Sequence, residues 1–263
     1  MSAVTSDLAI GFRPRSFVRV AGPDAADYLQ RMVSNDVEAL AVGGSCEALL
    51  LTAKARVIAP LVVWRRGEED FLLLTEPELG ETVRAHLVRM RLRARAEIEP
   101  EEHSSAVVFG GAEGIPSSEF GEPAVEVLDA GLEPTVEEEE LELRRIRAGT
   151  ARYGREIDDR VLPAEAGLVE RAVSFSKGCY PGQEPIARLH HRGHANRSLR
   201  VLRISAEEPP PYDSELSFEG KAVGRVTSAI NDPEGGVLAL AFVRVEVAED
   251  AELDVGGAAA RAV

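Results

Sequence analysis

Residues Val173 to Arg188 read V-S-F-S-K-G-C-Y-P-G-Q-E-P-I-A-R. A lysine, a thiol, two aromatic rings, two glycines, an amide, a carboxylate and an arginine fall within a strand end, a turn and a helix start. Neither an alternating nor a helical apolar period accounts for that mixture. Cys179 follows Lys177 closely and precedes a helix expected to begin near Pro181 to Gln183. An ammonium and a helix N-terminus both favour thiolate, which marks Cys179, with Lys177 beside it, as a reactive-thiol candidate. The alternative is a small buried hydrophobe, and that is the reading for Cys46 at the head of an apolar strand.

From Lys177 to Arg203 there are six Lys or Arg and one carboxylate, Glu184, in a chain of net charge −15. Such a positive island suits an anionic ligand. His190, His191 and His194 lie within it, but no acidic residue follows them and Gly193 interrupts the run, so no metal site is assigned.

A chain of 263 residues, 44% hydrophobic and 29% charged, has the composition of a soluble globular protein of one large or two modest domains. Its negative charge argues against direct binding to nucleic acid or to an anionic membrane. Met1 to Phe12 shows no basic leader followed by an apolar core, so a signal peptide is not expected. Val57 to Trp64 and Val237 to Val243 are too short to span a bilayer, and a cytoplasmic protein is expected. The two cysteines form no Cys-x-x-Cys pair, which disfavours a disulfide scaffold or a self-contained zinc or iron–sulfur site.

Outward from the opening stretch, Ser16 to Ala21 alternates as a strand, and Ala25, Leu29, Met32 and Val33 follow at helical spacing. Asn35 and Asp36 sit where that helix ends and read as a polar cap and turn. Glu47 to Ala53, Val57 to Trp64 and Phe71 to Thr75 read as neighbouring strands of one sheet. Thr75 to Glu78 and Thr135 to Glu138 each carry capping-box spacing, ahead of helices marked by Leu79, Val83, Leu87 and Met90 and by Glu139 to Ala148. Arg89, Arg91, Arg93 and Arg95 suit the dipole at the first of these helix ends. Ser105 to Gly110 and Ala124 to Leu128 add short strands. The irregular run Tyr153 to Leu168 reads as functional loop. After Arg197, short strands separated by Pro209 to Pro211 and Asn231 to Pro233 predict a C-terminal antiparallel barrel or sandwich.

Lys177-Gly178-Cys179-Tyr180-Pro181-Gly182-Gln183-Glu184 is similar to the K-G-C-(aromatic)-x-G-Q-E signature of YgfZ-type folate-binding proteins, which belong to the glycine-cleavage T-protein (aminomethyltransferase)-like family. The resemblance extends through Ala187-Arg188, Gly193, Leu162-Pro163, Glu165 to Leu168, Val20 to Leu29 and Asn35 to Val37. It implies an α+β fold: interleaved α+β subdomains around a central cavity over residues 1–196, then a β-barrel over 197–263. It also implies tetrahydrofolate or a one-carbon derivative as cofactor. Glu165 would take the pterin edge and Arg188 the folate tail, with Tyr180, Gln183, Glu184, Asn35 and Asp36 as further folate contacts. The implied role is an accessory factor in iron–sulfur cluster assembly or repair, partnered by assembly proteins or cluster-containing client enzymes such as tRNA-modifying ones. A folate-dependent aminomethyltransferase is the alternative. Against it, Arg56 to Leu61 holds no carboxylate where the transferases carry a catalytic Asp, and Lys54-Ala55-Arg56 replaces Lys-Gly-Arg. A scaffold holding another anion is a third reading.

Overall fold

The computed structural model describes residues 8–263. Most of Met1 to Phe12, where no signal peptide is expected, therefore lies outside the described residues.

The first sheet has five strands: β2 (Ser16–Ala21), β3 (Ser45–Leu51), β4 (Val57–Gly67), β5 (Asp70–Thr75) and β6 (Glu97–Glu101), in the order β3-β4-β5-β2-β6. Alternation in β4 between buried and half-buried residues places one side of each strand under cover. Helices α1 (Ala25–Met32) and α2 (Gly80–Met90) supply that cover. Leu29, Val83 and Leu87 pack on Val18, Val20, Leu50, Leu61 and Leu73, and each such buried side chain contributes about 1.5–3 kcal/mol. The opposite side is buried as well. Leu49 and Leu51 face the signature region, and Leu72 and Leu74 face a second sheet through Ile115.

That second sheet orders β1 (Ile10–Phe12), β7 (Ser105–Phe109), β9 (Ala124–Leu128) and β8 (Ile115–Ser117) as β1-β7-β9-β8. Helix α3 (Glu138–Arg147) crosses from it to the barrel, with Leu141 on the sheet and Leu143 and Ile146 on the barrel wall. A short helix α4 (Val169–Ala172) and α5 (Gln183–Arg192) flank the signature. The predicted C-terminal barrel is closed, in the order β10 (Arg197–Ile204), β13 (Val237–Arg244), β12 (Lys221–Asn231), β11 (Glu215–Phe218), β14 (Leu253–Val255) and β15 (Ala258–Ala262). Strand β13 is apolar from Val237 to Val243 because both its faces are buried there. Val237, Ala239, Ala241 and Val243 fill the barrel, Leu238 and Leu240 meet α3, and Phe242 meets the signature cluster. The closing hairpin β14–β15 escapes the apolar pattern because it is short and alanine-rich. Its turn, Gly256–Gly257, has φ of 60° and 92° at the two central residues, the handedness a tight hairpin needs.

Neither capping box forms. Thr75 ends β5 and donates through Oγ1 to Pro60 O at 2.9 Å, while Glu76 pairs with Arg13. Thr135 Oγ1 accepts from Ile10 N at 2.9 Å. Both hydroxyls join strands to distant segments instead of capping the helix that follows. The arginines after Leu87 also exceed the dipole argument, since only Arg89 lies in the last turn of α2.

The ends of β6 and β9 are joined by His103, with Nδ1 2.6 Å from Asp129 Oδ2 and Nε2 2.9 Å from Glu101 Oε2. Burial alone would lower the imidazole pKa, but hydrogen bonds to Asp129 and Glu101 outweigh it and raise the value above 6.5. A folded-state pKa above the unfolded one gives stability that is fully present below about pH 6.5 and is lost as pH rises through the folded value. Urea midpoints of wild type and His103→Gln are therefore expected to differ most in that acidic range and to draw together at higher pH. A difference that stays constant with pH would contradict the assignment.

Candidate functional site

The signature loop is seated on the corner between α1 and β3. Ser174 N donates to Ser34 O at 3.0 Å, and Ser34 Oγ donates to Ala172 O at 2.6 Å while accepting from Leu49 N at 2.8 Å. Asn35 Nδ2 donates to Glu47 O at 2.7 Å and to Arg171 O at 3.4 Å. Lys177 completes the bracket: its Nζ donates to Val33 O and Asn35 O, both at 2.7 Å. Burial pushes the Lys177 pKa down to about 8, which still leaves an ammonium at neutral pH to make both bonds. It also lies 5.3 Å from the centre of the Tyr180 ring, a cation–π contact.

This corrects the reason given for a reactive Cys179. The Lys177 ammonium is buried on carbonyls of the first sheet's corner, whereas Cys179 is exposed on the loop. Asp36 serves the same corner, accepting from Gln30 Nε2 at 2.9 Å and Ala39 N at 3.2 Å. Asn35 and Asp36 thus act as the polar turn that their position suggested, with the signature loop resting on it. Cys46 packs against the main core, and burial pushes its thiol up to about 12.

Beyond Cys179 the chain turns at Gly182, whose φ is 86°, and α5 begins at the next residue. A Cβ at Gly182 would lie 2.7 Å from Thr52 O and 3.2 Å from the Ala55 Cα, so the β3–β4 turn and the start of α5 meet backbone to backbone. Ala55 adopts φ of 58° in that turn: the substitution of alanine for glycine leaves the left-handed conformation in place. Tyr180 is buried among Leu49, Val57 and Ile186, its hydroxyl has no hydrogen-bond partner among the described residues, and burial pushes its pKa up to about 12.

Between the β3–β4 turn, the 162–170 segment and α5 lies a cavity of about 850 Å³. Its walls are largely apolar, including Ala55, Leu162, Pro163, Val169 and Ile186, with Lys54, Arg188, Glu170 and His190 as the ionisable groups. The His190 ring is stacked on Phe175 at 4.1 Å. The fold thus brings Arg188 together with Lys54, a partner that the turn sequence already offered. It does not bring Glu165 to the same cavity. Glu165 lines a neighbouring one of about 740 Å³ with Arg197, Arg225 and Phe242. There Glu165 Oε1 accepts from Arg197 Nε at 3.0 Å, and Oε2 accepts from Leu162 N at 2.9 Å. Gln183 and Glu184 stand on the first turn of α5, and neither lines the larger cavity.

The positive island is also redistributed. Arg197 pairs with Glu165, Arg203 pairs with Asp232 at 2.9 Å, and Arg200 donates to Val247 O at 2.7 Å. Ala59, within the run that holds no carboxylate, is fully buried in the core under α1 and α2. Sequence reasoning missed Ser34 and Arg197. Ser34 could have been found by its place beside Asn35, but the partner of Arg197 is set only by the barrel's docking.

Residues 15–110 match the GCVT N-terminal domain and residues 199–263 the CAF17 C-terminal β-barrel domain. The iron-sulfur cluster assembly factor IBA57 homolog, mitochondrial, of Pyricularia oryzae is 28% identical, the alignment covering 94% of this chain and 74% of that protein. The tRNA-modifying protein YgfZ of Yersinia pestis (strain Pestoides F) is 25% identical over 91% of this chain and 85% of its own length. In fold, the chain is similar to the glycine cleavage system aminomethyltransferase T from Bartonella henselae, with TM-score 0.83 and 20% identity over 96% of this chain and 84% of that one. With the signature loop, the cavity beside it and the closed barrel, the chain thus carries a GCVT N-terminal domain followed by a CAF17 C-terminal β-barrel domain, and over most of its length it is similar to proteins named YgfZ and IBA57.

Proposed function

We propose that the protein is a cytoplasmic tetrahydrofolate-binding accessory factor for iron–sulfur cluster assembly or repair, serving assembly proteins or cluster-dependent clients such as tRNA-modifying enzymes. The observation that carries this reading is the cavity against the signature helix: apolar walls end on Arg188 and Lys54, while Cys179 stays exposed on the same loop. Its volume of about 850 Å³ suits a small ligand. Apolar walls cover a flat ring system, and a guanidinium with an ammonium neutralises a carboxylate tail. The buried Tyr180 hydroxyl, without a partner among the described residues, offers a hydrogen-bonding group beside this region. Bound tetrahydrofolate supplies one-carbon carrier chemistry, and the protein's share is to bind it and to hold the thiol accessible.

Arg197 presents to Glu165 the same planar donor fork that a pterin edge would present, so a pterin at Glu165 has to displace Arg197. The names of the relatives support the iron–sulfur and tRNA-modification setting. Aminomethyl transfer finds less support, because Ala59 brings no acid to orient or protonate such a substrate.

Calorimetric titration with tetrahydrofolate tests the first half. Saturable binding is expected, weakened at least about tenfold, or 1.4 kcal/mol, in Arg188→Ala. Absence of binding at about 1 mM ligand would remove the folate reading. For the second half, Cys179→Ala is expected to keep folate affinity and melting temperature but to leave a cluster-dependent enzyme inactive in cells lacking the native protein. Full restoration of that enzyme would exclude a role for the thiol.

A further inference from the structure

Helix α2 ends at Met90, and Arg89 to Ala94 continue into Arg95 as R-M-R-L-R-A-R. No carboxylate occurs between Thr82 and Ala96, in a chain of net charge −15. Leu92 stands 89% exposed with φ of 50°, and Met90 is 41% exposed. A leucine held out to water in a left-handed conformation serves neither the core nor the backbone. Arg91 and Arg95 hold the loop: Arg91 Nη1 donates to Ala96 O at 3.1 Å, and Arg95 pairs with Asp24 at 2.9 Å. Arg93 makes no ion pair among the described residues. Beneath the tip runs a groove of about 730 Å³ whose lining includes Tyr28, Arg31, Met32, Met90, Leu92 and Arg93.

We propose that this groove and tip dock an acidic segment of a partner protein that carries apolar side chains. The proposal goes beyond the folate reading and does not depend on it. Arginines alternating with apolar residues complement a segment that alternates carboxylates with apolar residues. Methionines on the groove wall adapt to side chains of varied shape. A phosphate backbone would satisfy the arginines and leave Leu92 and Met90 in water, and a flat lipid surface would leave the groove unfilled. Charge complementarity therefore selects an acidic partner, and the apolar groove selects a protein one.

Fluorescence anisotropy with a fluorescein-labelled peptide of repeated Glu-Leu-Asp-Ser tests this on the full chain. Saturable binding is expected with a Kd below about 100 µM, and Leu92→Asp and Arg93→Glu are each expected to weaken it at least tenfold, with the melting temperature unchanged. A peptide with Ser in place of Leu is expected to bind at least about tenfold more weakly. Leu92→Gly, which relieves the left-handed strain, is expected to melt no lower than wild type while losing peptide affinity. The proposal falls if the Glu-Leu-Asp-Ser peptide shows no saturable binding up to about 1 mM, or if neither substitution alters it. It also falls if single-stranded RNA or phosphatidylserine vesicles bind more tightly and lose that binding in the same variants.

Discussion

Arg145→Met is expected to destabilise the protein by about 3–5 kcal/mol, because it strips the partner from a buried carboxylate. Arg145 is fully buried on α3 and donates to Glu142 Oε1 at 2.6 Å, Thr150 O at 2.5 Å, Ser228 Oγ at 2.8 Å and Glu156 Oε2 at 3.1 Å. Those acceptors belong to α3, the loop after it and barrel strand β12, so one guanidinium joins three parts of the fold. Glu156, also fully buried, accepts from Ser228 Oγ at 2.7 Å and Arg152 N at 3.0 Å as well. Without Arg145 its charge remains in a medium of low dielectric with neutral donors alone. Urea denaturation measures the loss, and Arg145→Lys is expected to recover only part of it, since an ammonium cannot reproduce the planar fork. A loss under about 1 kcal/mol for Arg145→Met would mean that water or movement of the barrel solvates Glu156.

Gly182→Ala is the second large effect expected, at roughly 2–4 kcal/mol from left-handed strain combined with overpacking. The added Cβ would meet Thr52 O at 2.7 Å and the Leu51 Cβ at 3.2 Å, atoms that cannot swing aside as a side-chain tip could. Relief requires α5 to move off the β3–β4 turn, and both elements line the signature cavity. Amides of α5 are therefore expected to exchange faster in the variant, and tetrahydrofolate affinity is expected to fall with them. Unchanged exchange in α5 with unchanged stability would show that the helix start tolerates a side chain.

Much of the architecture was legible because its signals are local. Strand alternation in Val57–Gly67 and the helical spacing of Leu29 and Met32 report which face of each element is buried, whereas Ser16–Ala21 is buried on both faces. The barrel announced itself through short strands between proline-rich breaks, although its closing hairpin, with four alanines in β15, was too weakly patterned to read. Threonines before acidic residues misled, since the same hydroxyl that can cap a helix can bond a passing strand. At Thr75 and Thr135 the fold supplies Pro60 O and Ile10 N.

By itself the sequence determined the order of elements, the resemblance of the signature and the choice of glycine at position 182, because periodicity, motif and handedness are properties of neighbouring residues. The tertiary structure alone decided what the charged residues do. Lys177 finds its carbonyls 144 and 142 residues away, and Glu165 meets Arg197 across 32 residues. A charge entering a protein interior takes whichever partner the packed elements bring within about 3 Å, and chain separation places no limit on that choice.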